Sequence, residues 1–96
     1  MLLAALRVDV RIPACRSLKE KRHVMKALTN GIRSFEVAVA ETGYHDKWQR
    51  AEIGVAAVGT EGYHLRKVMH SVERFVERFA EVDLIDTELT MHAPED

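Results

Sequence analysis

The chain is predicted to fold as an α+β sandwich whose elements follow the order βαββαβ. Four segments alternate apolar and polar residues with the period of two that is typical of half-buried strands. Two longer segments repeat apolar residues every three or four positions, which is typical of amphipathic helices. With 96 residues the chain has room for a single domain, residues 1–96. Right-handed crossovers would place both helices on one face of a four-stranded antiparallel sheet, which is the ferredoxin-like arrangement.

The first strand is predicted over Leu6–Ile12, and Pro13 ends it because proline cannot donate to the strand ladder. The first helix begins with a capping box, in which the Ser17 hydroxyl accepts from the amide of Glu20 and the Glu20 carboxylate reaches back to the amide of Ser17. This helix runs to about Ile32, and Gly31 is a candidate for its C-terminal stop. Its inward stripe is predicted to hold Leu18, Met25, Leu28 and Ile32, with Val24 beside them.

The two middle strands are predicted in "FEVAVAE", residues 35–41, and "AEIGVAAVG", residues 51–59. Thr60 is the predicted N-cap of the second helix. The apolar stripe of that helix is Leu65, Val68, Met69, Val72, Phe75, Val76 and Phe79. The inward phase of the last strand is predicted to be Ile85, Thr87, Leu89 and Met91. Residues 92–96 are expected to form a frayed tail.

Residues 41–54, "ETGYHDKWQRAEIG", form a hairpin connection longer than the usual two to five residues. Its second half is predicted to start the third strand, with Trp48 and Arg50 directed towards the face of the sheet that the helices leave open. Trp48 could cover the sheet of its own subunit or reach into a partner, as interface tryptophans do. Glu41 falls on the inward phase, where a carboxylate needs a partner that the sequence does not identify.

The open face of the predicted sheet has small residues at its centre and charged residues around them. The small residues are Ala38, Ala40, Gly54 and Ala56. RNA-reading sheets instead carry aromatic rings at mid-strand, on which bases stack. A flat floor of small residues lets another surface approach closely, so the pattern predicts a homodimer that associates through this face.

Charge is distributed unevenly along the chain. Residues 1–33 hold eight lysines and arginines and two acidic residues, a net charge of +6, whereas residues 34–96 carry −7. The split favours either an anionic partner for the first half or halves that neutralise each other. A basic row on the outer face of the first helix is a candidate phosphate-binding surface, although Glu73 and Glu77 of the second helix could neutralise it. The row consists of Lys19, Arg22, Lys26 and Arg33.

Catalytic and metal sites are not indicated. Cys15 is the only cysteine, which excludes a disulfide framework and fits a reducing cytosol. The five histidines show no metal-ligand spacing, and the loop before the first helix lacks the glycines that cradle phosphate in acylphosphatases. No apolar run approaches the roughly 20 residues that cross a bilayer. We expect a cytoplasmic protein without cofactor, small-molecule substrate or membrane contact.

Two strings resemble the YlxP-like family, a bacterial domain of unknown function of about this length. They are "SLKEKR", residues 17–22, and "AETGYHDKWQRAEIGVAAV", residues 40–58; "ERF" at 73–75 and "EVDLI" at 81–85 are similar too. The resemblance implies a ferredoxin-like fold and carries no known activity, catalytic residue or cofactor. Genes of that family often lie beside those for a translation initiation factor and ribosome-maturation proteins. The resemblance therefore implies a non-catalytic factor associated with RNA or a ribosomal subunit, for which Lys19, Arg22, Lys26, Arg33, Trp48 and Arg50 are the candidate contacts. The alternative is an interaction module that pairs through the open sheet face without nucleic acid.

Overall fold

Four strands and two helices follow one another in the predicted order in the computed structural model, which describes residues 1–94. They are β1 (Leu2–Arg11), α1 (Leu18–Arg33), β2 (Ala38–Gly43), β3 (Arg50–Gly59), α2 (Gly62–Arg78) and β4 (Asp83–His92). The strands form one sheet in the order β2-β3-β1-β4, and every neighbouring pair is antiparallel. This topology confirms the predicted ferredoxin-like α+β fold. None of the helices in residues 1–94 is long and apolar enough to cross a membrane.

The core lies between the helices and the inward face of the sheet. The inward residues in the middle of the two central strands are buried, as the alternation predicts, and they meet the apolar stripes of both helices. Leu2 and Ala57, towards one end of the sheet, are partly buried. The largest buried side chains are Leu6, Val8, Val10, Ile12, Leu28, Ile32, Ile53, Leu65, Met69, Val72 and Val76. Strand β1 begins at Leu2, four residues before the predicted start, because Leu2 pairs with Gly59 of β3. Strand β2 begins only at Ala38, because Glu36 adopts a left-handed φ of 62° and turns the chain after α1.

Helix α1 differs from its prediction on its inward face and at both ends. Leu18 is exposed, and Lys21 instead occupies the inward position of the first turn. The predicted N-cap is confirmed, since the amide of Glu20 donates to Ser17 Oγ at 3.1 Å. The Glu20 carboxylate, however, accepts from the amide of Arg16 at 2.6 Å and not from that of Ser17. Gly31 does not end the helix; it gives room for a phenylalanine of α2, since an added Cβ would overlap that ring.

Two further predictions near α2 and β4 are wrong. Glu61, not Thr60, is the N-cap residue of α2, and its side chain makes no capping hydrogen bond. Ile85 is exposed because the β1–β4 register shifts between Asp9 and Val10, which brings Leu84 opposite Val10. Beyond the shift, Thr87, Leu89 and Met91 lie opposite the inward residues of β1, as predicted. Within the predicted frayed tail, His92 pairs with Leu3 at the end of β4, and residues 95–96 lie outside the described residues.

Candidate functional site

The basic row of α1 is exposed and free of carboxylate partners within residues 1–94. No acidic oxygen there lies within 4.0 Å of its four cationic groups, Lys19, Arg22, Lys26 and Arg33. Glu73, one of the two residues that could have neutralised the row, accepts a hydrogen bond of 2.7 Å from Thr87 of β4. The row thus presents its positive charge to solvent.

Three members of the row line one groove, and the fourth lies elsewhere. Arg22, Lys26 and Arg33 line a groove of about 360 Å³ between α1 and β2, whose other lining residues are Met25, Thr29, Asn30, Val39, Ala40 and Glu41. Arg33 donates to Asn30 Oδ1 at 2.8 Å, which orients its guanidinium along the helix surface. Lys19 lines a separate groove with Cys15, His23 and Glu81. Because β2 is an edge strand of the sheet, the groove runs along an open border of the molecule.

The loop of residues 44–49 joins β2 to β3 and is held at both ends by hydrogen bonds. Lys21 Nζ donates to the carbonyl of Tyr44 at 2.6 Å. Gln49 Nε2 donates to the carbonyls of Pro13 at 3.2 Å and Cys15 at 3.0 Å, and the Gln49 carbonyl accepts from the amide of Ile12 at 3.0 Å. Tyr44 has a left-handed φ of 61°, an uncommon conformation for a side chain of this size. The loop is therefore an ordered part of the fold.

Lys21 also supplies the partner that Glu41 lacked in the sequence. The Lys21 side chain is only 3% exposed, and its Nζ lies 3.0 Å from Glu41 Oε2, on a side chain that is 25% exposed. Oε2 accepts no well-aligned hydrogen bond within the described chain, so the attraction to Lys21 is chiefly that of opposite charges. The buried ammonium thus joins α1 to β2 and, through the Tyr44 carbonyl, to the loop.

Arg50 is held in place from two sides. Its Nε and Nη2 donate to the two carboxylate oxygens of Asp9 at 2.9 and 2.7 Å, a bidentate pair that is geometrically specific. Its guanidinium carbon lies 4.8 Å from the centre of the Tyr44 ring, within cation–π distance. The hydrogen bond from Arg50 lowers the pKa of the Asp9 carboxyl below its usual value. Strand β3 begins at Arg50, so Trp48 belongs to the loop. The prediction that Trp48 lies at the start of the third strand is wrong.

The open sheet face carries a shallow groove floored by the predicted small residues. Ala38 lies opposite Ala56, and Ala40 lies opposite Gly54. The groove has a volume of about 440 Å³ and is rimmed by Arg7, Thr42, Glu52, Glu88 and Thr90. Arg7 is paired with Asp86 at 3.0 Å and lies 3.9 Å from Glu88, and with Glu52 added the charged groups of the rim are net negative. Trp48 lies outside this groove and lines another one formed by the loop.

The cysteine and the histidines form no assembled centre in the described part of the chain. Cys15 is buried, and burial raises the pKa of its thiol, opposite to the lowering that a helix N-terminus and a neighbouring arginine could have produced. Within residues 1–94 no three His, Cys, Asp or Glu side chains are placed to hold a metal ion.

The sequence did not predict the roles of Lys21 and Asp9, and it identified Glu41 without its partner. A stripe of 21, 25, 28 and 32 fits a helix better than one that begins at Leu18, and it places a cation on the inward face. An inward lysine together with the inward Glu41 of the next strand was the signal that could have identified the pair.

Comparison with known proteins places the chain in a family. Residues 3–89 match the family described as "Protein of unknown function (DUF503)". Uncharacterized protein YlxP of Bacillus subtilis (strain 168) is 38% identical over 68 residues, which are 70% of this chain and 74% of that protein.

One designed protein of known structure shares the fold, and a second gives a weaker superposition. The de novo designed protein Foldit4 superimposes with a TM-score of 0.54 at 8% identity, over 97% of this chain and 99% of its own. The de novo designed protein Ferredog-Diesel gives a TM-score of 0.49 at 9% identity, over 95% and 84% of the two chains. At 8% identity, the likeness to Foldit4 supports the fold alone. By its match over residues 3–89, the chain belongs to the DUF503 family, whose function is unknown.

Proposed function

We propose that this protein is a cytoplasmic, non-catalytic RNA-binding factor that associates with a ribosomal subunit or its assembly intermediates. The observation that carries the proposal is the groove of Arg22, Lys26 and Arg33, whose cationic groups have no carboxylate partner within residues 1–94. Unpaired cations in a row bind phosphate and release the counterions condensed on a nucleic acid. The gene neighbourhood that the family resemblance implies points to the same class of partner.

Groove geometry favours a backbone-directed mode of binding. Arginine offers a planar fork of donors that matches a phosphate, and lysine adds a point charge. The groove is lined by three cations, and within residues 1–94 the open sheet face has no mid-strand aromatic ring on which a base could stack. We therefore expect affinity that depends strongly on salt and weakly on sequence.

The test compares two triple variants that remove the same charge. In one, Arg22, Lys26 and Arg33 are changed to Gln. The matched control changes Lys67, Arg74 and Arg78 to Gln. These three residues are exposed on α2, and they are seven and four positions apart, whereas those of α1 are four and seven positions apart.

Binding to labelled RNA and to purified ribosomal subunits is measured at 50 and 200 mM salt. The α1 variant should bind more weakly, and the slope of log K against log salt should fall by about 2 to 3, or roughly 0.7–0.9 per lost phosphate contact. The α2 control should keep the slope of the parent. If the α1 variant binds as the parent does, the groove is not the RNA site.

A second candidate function is self-association through the open sheet face. The groove floored by Ala38, Ala40, Gly54 and Ala56 favours it, because a flat floor of small residues admits a second surface. An added Cβ at Gly54 would meet Thr42 Cγ2 at 2.9 Å, so a substitution there would strain the sheet itself. Ala56, which is exposed, is the cleaner probe.

Sedimentation equilibrium distinguishes this candidate. The parent should sediment as a dimer and Ala56→Arg as a monomer, whereas Ala80→Arg, at an exposed position after α2, should remain a dimer. A monomeric parent would eliminate this candidate and leave the RNA proposal untouched.

A further inference from the structure

The loop between β2 and β3 lines a groove that the α1 surface does not include. The groove has a volume of about 580 Å³, within the roughly 300–1,000 Å³ typical of small-ligand sites. It opens at the end of the sheet where β1 finishes and β3 begins. Its lining residues are Arg11, Tyr44, Asp46, Lys47, Trp48, Gln49 and Arg50.

An exposed aromatic surface forms one part of this groove. Trp48 is 51% exposed and Tyr44 is 42% exposed. Tyr44 is engaged with the Arg50 guanidinium, 4.8 Å from its ring centre, whereas Trp48 has no aromatic or cationic partner of this kind within residues 1–94. An indole exposed in this way is a stacking platform for another flat ring.

Two free cations lie beside the platform. Arg11 and Lys47 line the groove, and within the described chain neither has a carboxylate within 4.0 Å. Arg50 differs from them because Asp9 already takes its donors. Asp46 is the acidic group of the groove and offers acceptor oxygens, which suit the amino group of a base. An aromatic platform, two free positive charges and an acceptor are complementary to a nucleotide, which combines a flat base with an anionic phosphate.

The groove is ordered before any ligand arrives. Lys21 holds the carbonyl of Tyr44, and Gln49 is held to the segment between β1 and α1 by three hydrogen bonds. The loop therefore loses little conformational entropy when a ligand binds. A small contact area can then be enough for measurable affinity.

We propose that this groove binds one unpaired nucleotide of RNA, with the base stacked on Trp48 and the phosphate on Arg11 and Lys47. The occupant's identity as RNA rests on the proposed function, whereas the capacity of the groove for a free nucleotide does not. Bases that are splayed out of a strand and stacked on aromatic side chains are the usual way in which proteins take hold of single-stranded RNA. Arg50 is a positioning residue, since Asp9 fixes it against the Tyr44 ring.

The first experiment uses the fluorescence of Trp48, which is the only tryptophan of the chain. The full chain is excited at 295 nm and titrated with adenosine 5′-monophosphate or, in parallel, with ribose 5-phosphate, which has the anion without the base. Adenosine 5′-monophosphate should quench the emission saturably and ribose 5-phosphate should not. The double variant Arg11→Gln and Lys47→Gln should raise the concentration needed for half-quenching. Absence of saturable quenching, or equal quenching by ribose 5-phosphate, would overturn the inference.

The second experiment separates this groove from the α1 surface. Trp48→Ala should weaken binding to labelled single-stranded RNA by about 5- to 150-fold, the usual range for one lost base–aromatic stack. The control Tyr63→Ala removes a ring on α2 that is more exposed than Trp48 and should bind as the parent does. Both side chains are exposed, and circular dichroism should confirm that both variants fold.

The outcomes distinguish the two proposals. If RNA binding survives Trp48→Ala unchanged but is lost in the α1 triple variant, the nucleotide groove is overturned and the proposed function stands. If adenosine 5′-monophosphate quenches Trp48 while no RNA binds, the groove stands and the proposed function fails. A third outcome would also overturn the nucleotide groove. If nucleotide does not quench the parent, and if a protein partner that the parent captures after nuclease treatment is not captured by Trp48→Ala, the groove binds a protein instead.

Discussion

Replacing Lys21 with methionine should destabilise the fold strongly, although the residue lies in a helix rich in exposed lysines and arginines. Methionine keeps the apolar stem and a similar helix propensity, so the change removes mainly the ammonium. That group donates to the Tyr44 carbonyl at 2.6 Å and lies 3.0 Å from Glu41 Oε2. Its loss therefore leaves a carbonyl and a partly buried carboxylate without their cation.

The expected cost follows from these two contacts. A hydrogen bond from a charged donor contributes about 1.5–3 kcal/mol, and breaking a buried ion pair costs about 3–5 kcal/mol. The Glu41 side chain is 25% exposed, so water partly compensates for the loss, and the lower end of the second range applies. We expect Lys21→Met to lower the free energy of unfolding by about 3 kcal/mol, which lowers Tm by about 12–24 °C in a domain of this size.

Urea denaturation followed by circular dichroism measures this change. The midpoint should fall with the slope m unchanged, since the native fold buries the same surface. Lys19→Met, at an exposed position two residues earlier, is the control and should stay within about 0.5 kcal/mol of the parent. The double variant Lys21→Met and Glu41→Leu should lose less than the sum of its single changes, because an apolar pair replaces an ion pair. A loss below about 1 kcal/mol in Lys21→Met would refute the buried-pair reasoning.

Three further changes test other contacts. Gly31→Ala should destabilise the protein by about 1 kcal/mol, because the new Cβ would lie 2.8 Å from Phe75 Cε2. The resulting strain exceeds the gain in helix propensity. A variant that unfolds at a higher temperature than the parent would contradict this. Asp9→Asn should destabilise the fold at pH 7 and progressively less in acid. The hydrogen bond from Arg50 lowers the pKa of Asp9, so the contribution of the pair is complete above the unfolded-state pKa near 3.9 and is lost as pH falls through the lower folded-state pKa. Urea midpoints of the parent and of the Asp9→Asn variant from pH 2 to 7 should therefore converge in acid, and parallel curves would disprove the pairing. Ser17→Ala should cost about 1 kcal/mol by removing the N-cap acceptor of α1, and an unchanged urea midpoint would count against that cap.

Sequence pattern was sufficient for the architecture. Alternation of period two placed β1, β2 and β3 with the correct inward phase, and the apolar stripe of α2 was identified residue by residue. These patterns are local consequences of burying one side of an element, so they can be read without knowing the neighbours. The small floor of the open sheet face followed in the same way, because it depends only on the phase of each strand.

Element ends were decided by neighbours and so escaped prediction. Leu2 belongs to β1 because Gly59 lies opposite it, and Ile85 faces solvent because the ladder with β1 shifts beside it. A one-residue shift in register moves a side chain to the other face of the sheet, and no pattern within a single strand records where such a shift occurs.

The sequence by itself determined the inward phase of β1, β2, β3 and α2, the basic outer face of α1 and the unusual length of the loop between β2 and β3. Only the tertiary structure decided which of these residues meet. Lys21 and Glu41 are 20 positions apart, and Asp9 and Arg50 are 41 apart, yet each pair lies within 3.0 Å. Pairs of this kind arise from the crossing of helix and strand and from strand register. The physical reason is that local propensity acts over a few residues, whereas charge pairing acts through space across elements that the chain brings together only once it has folded.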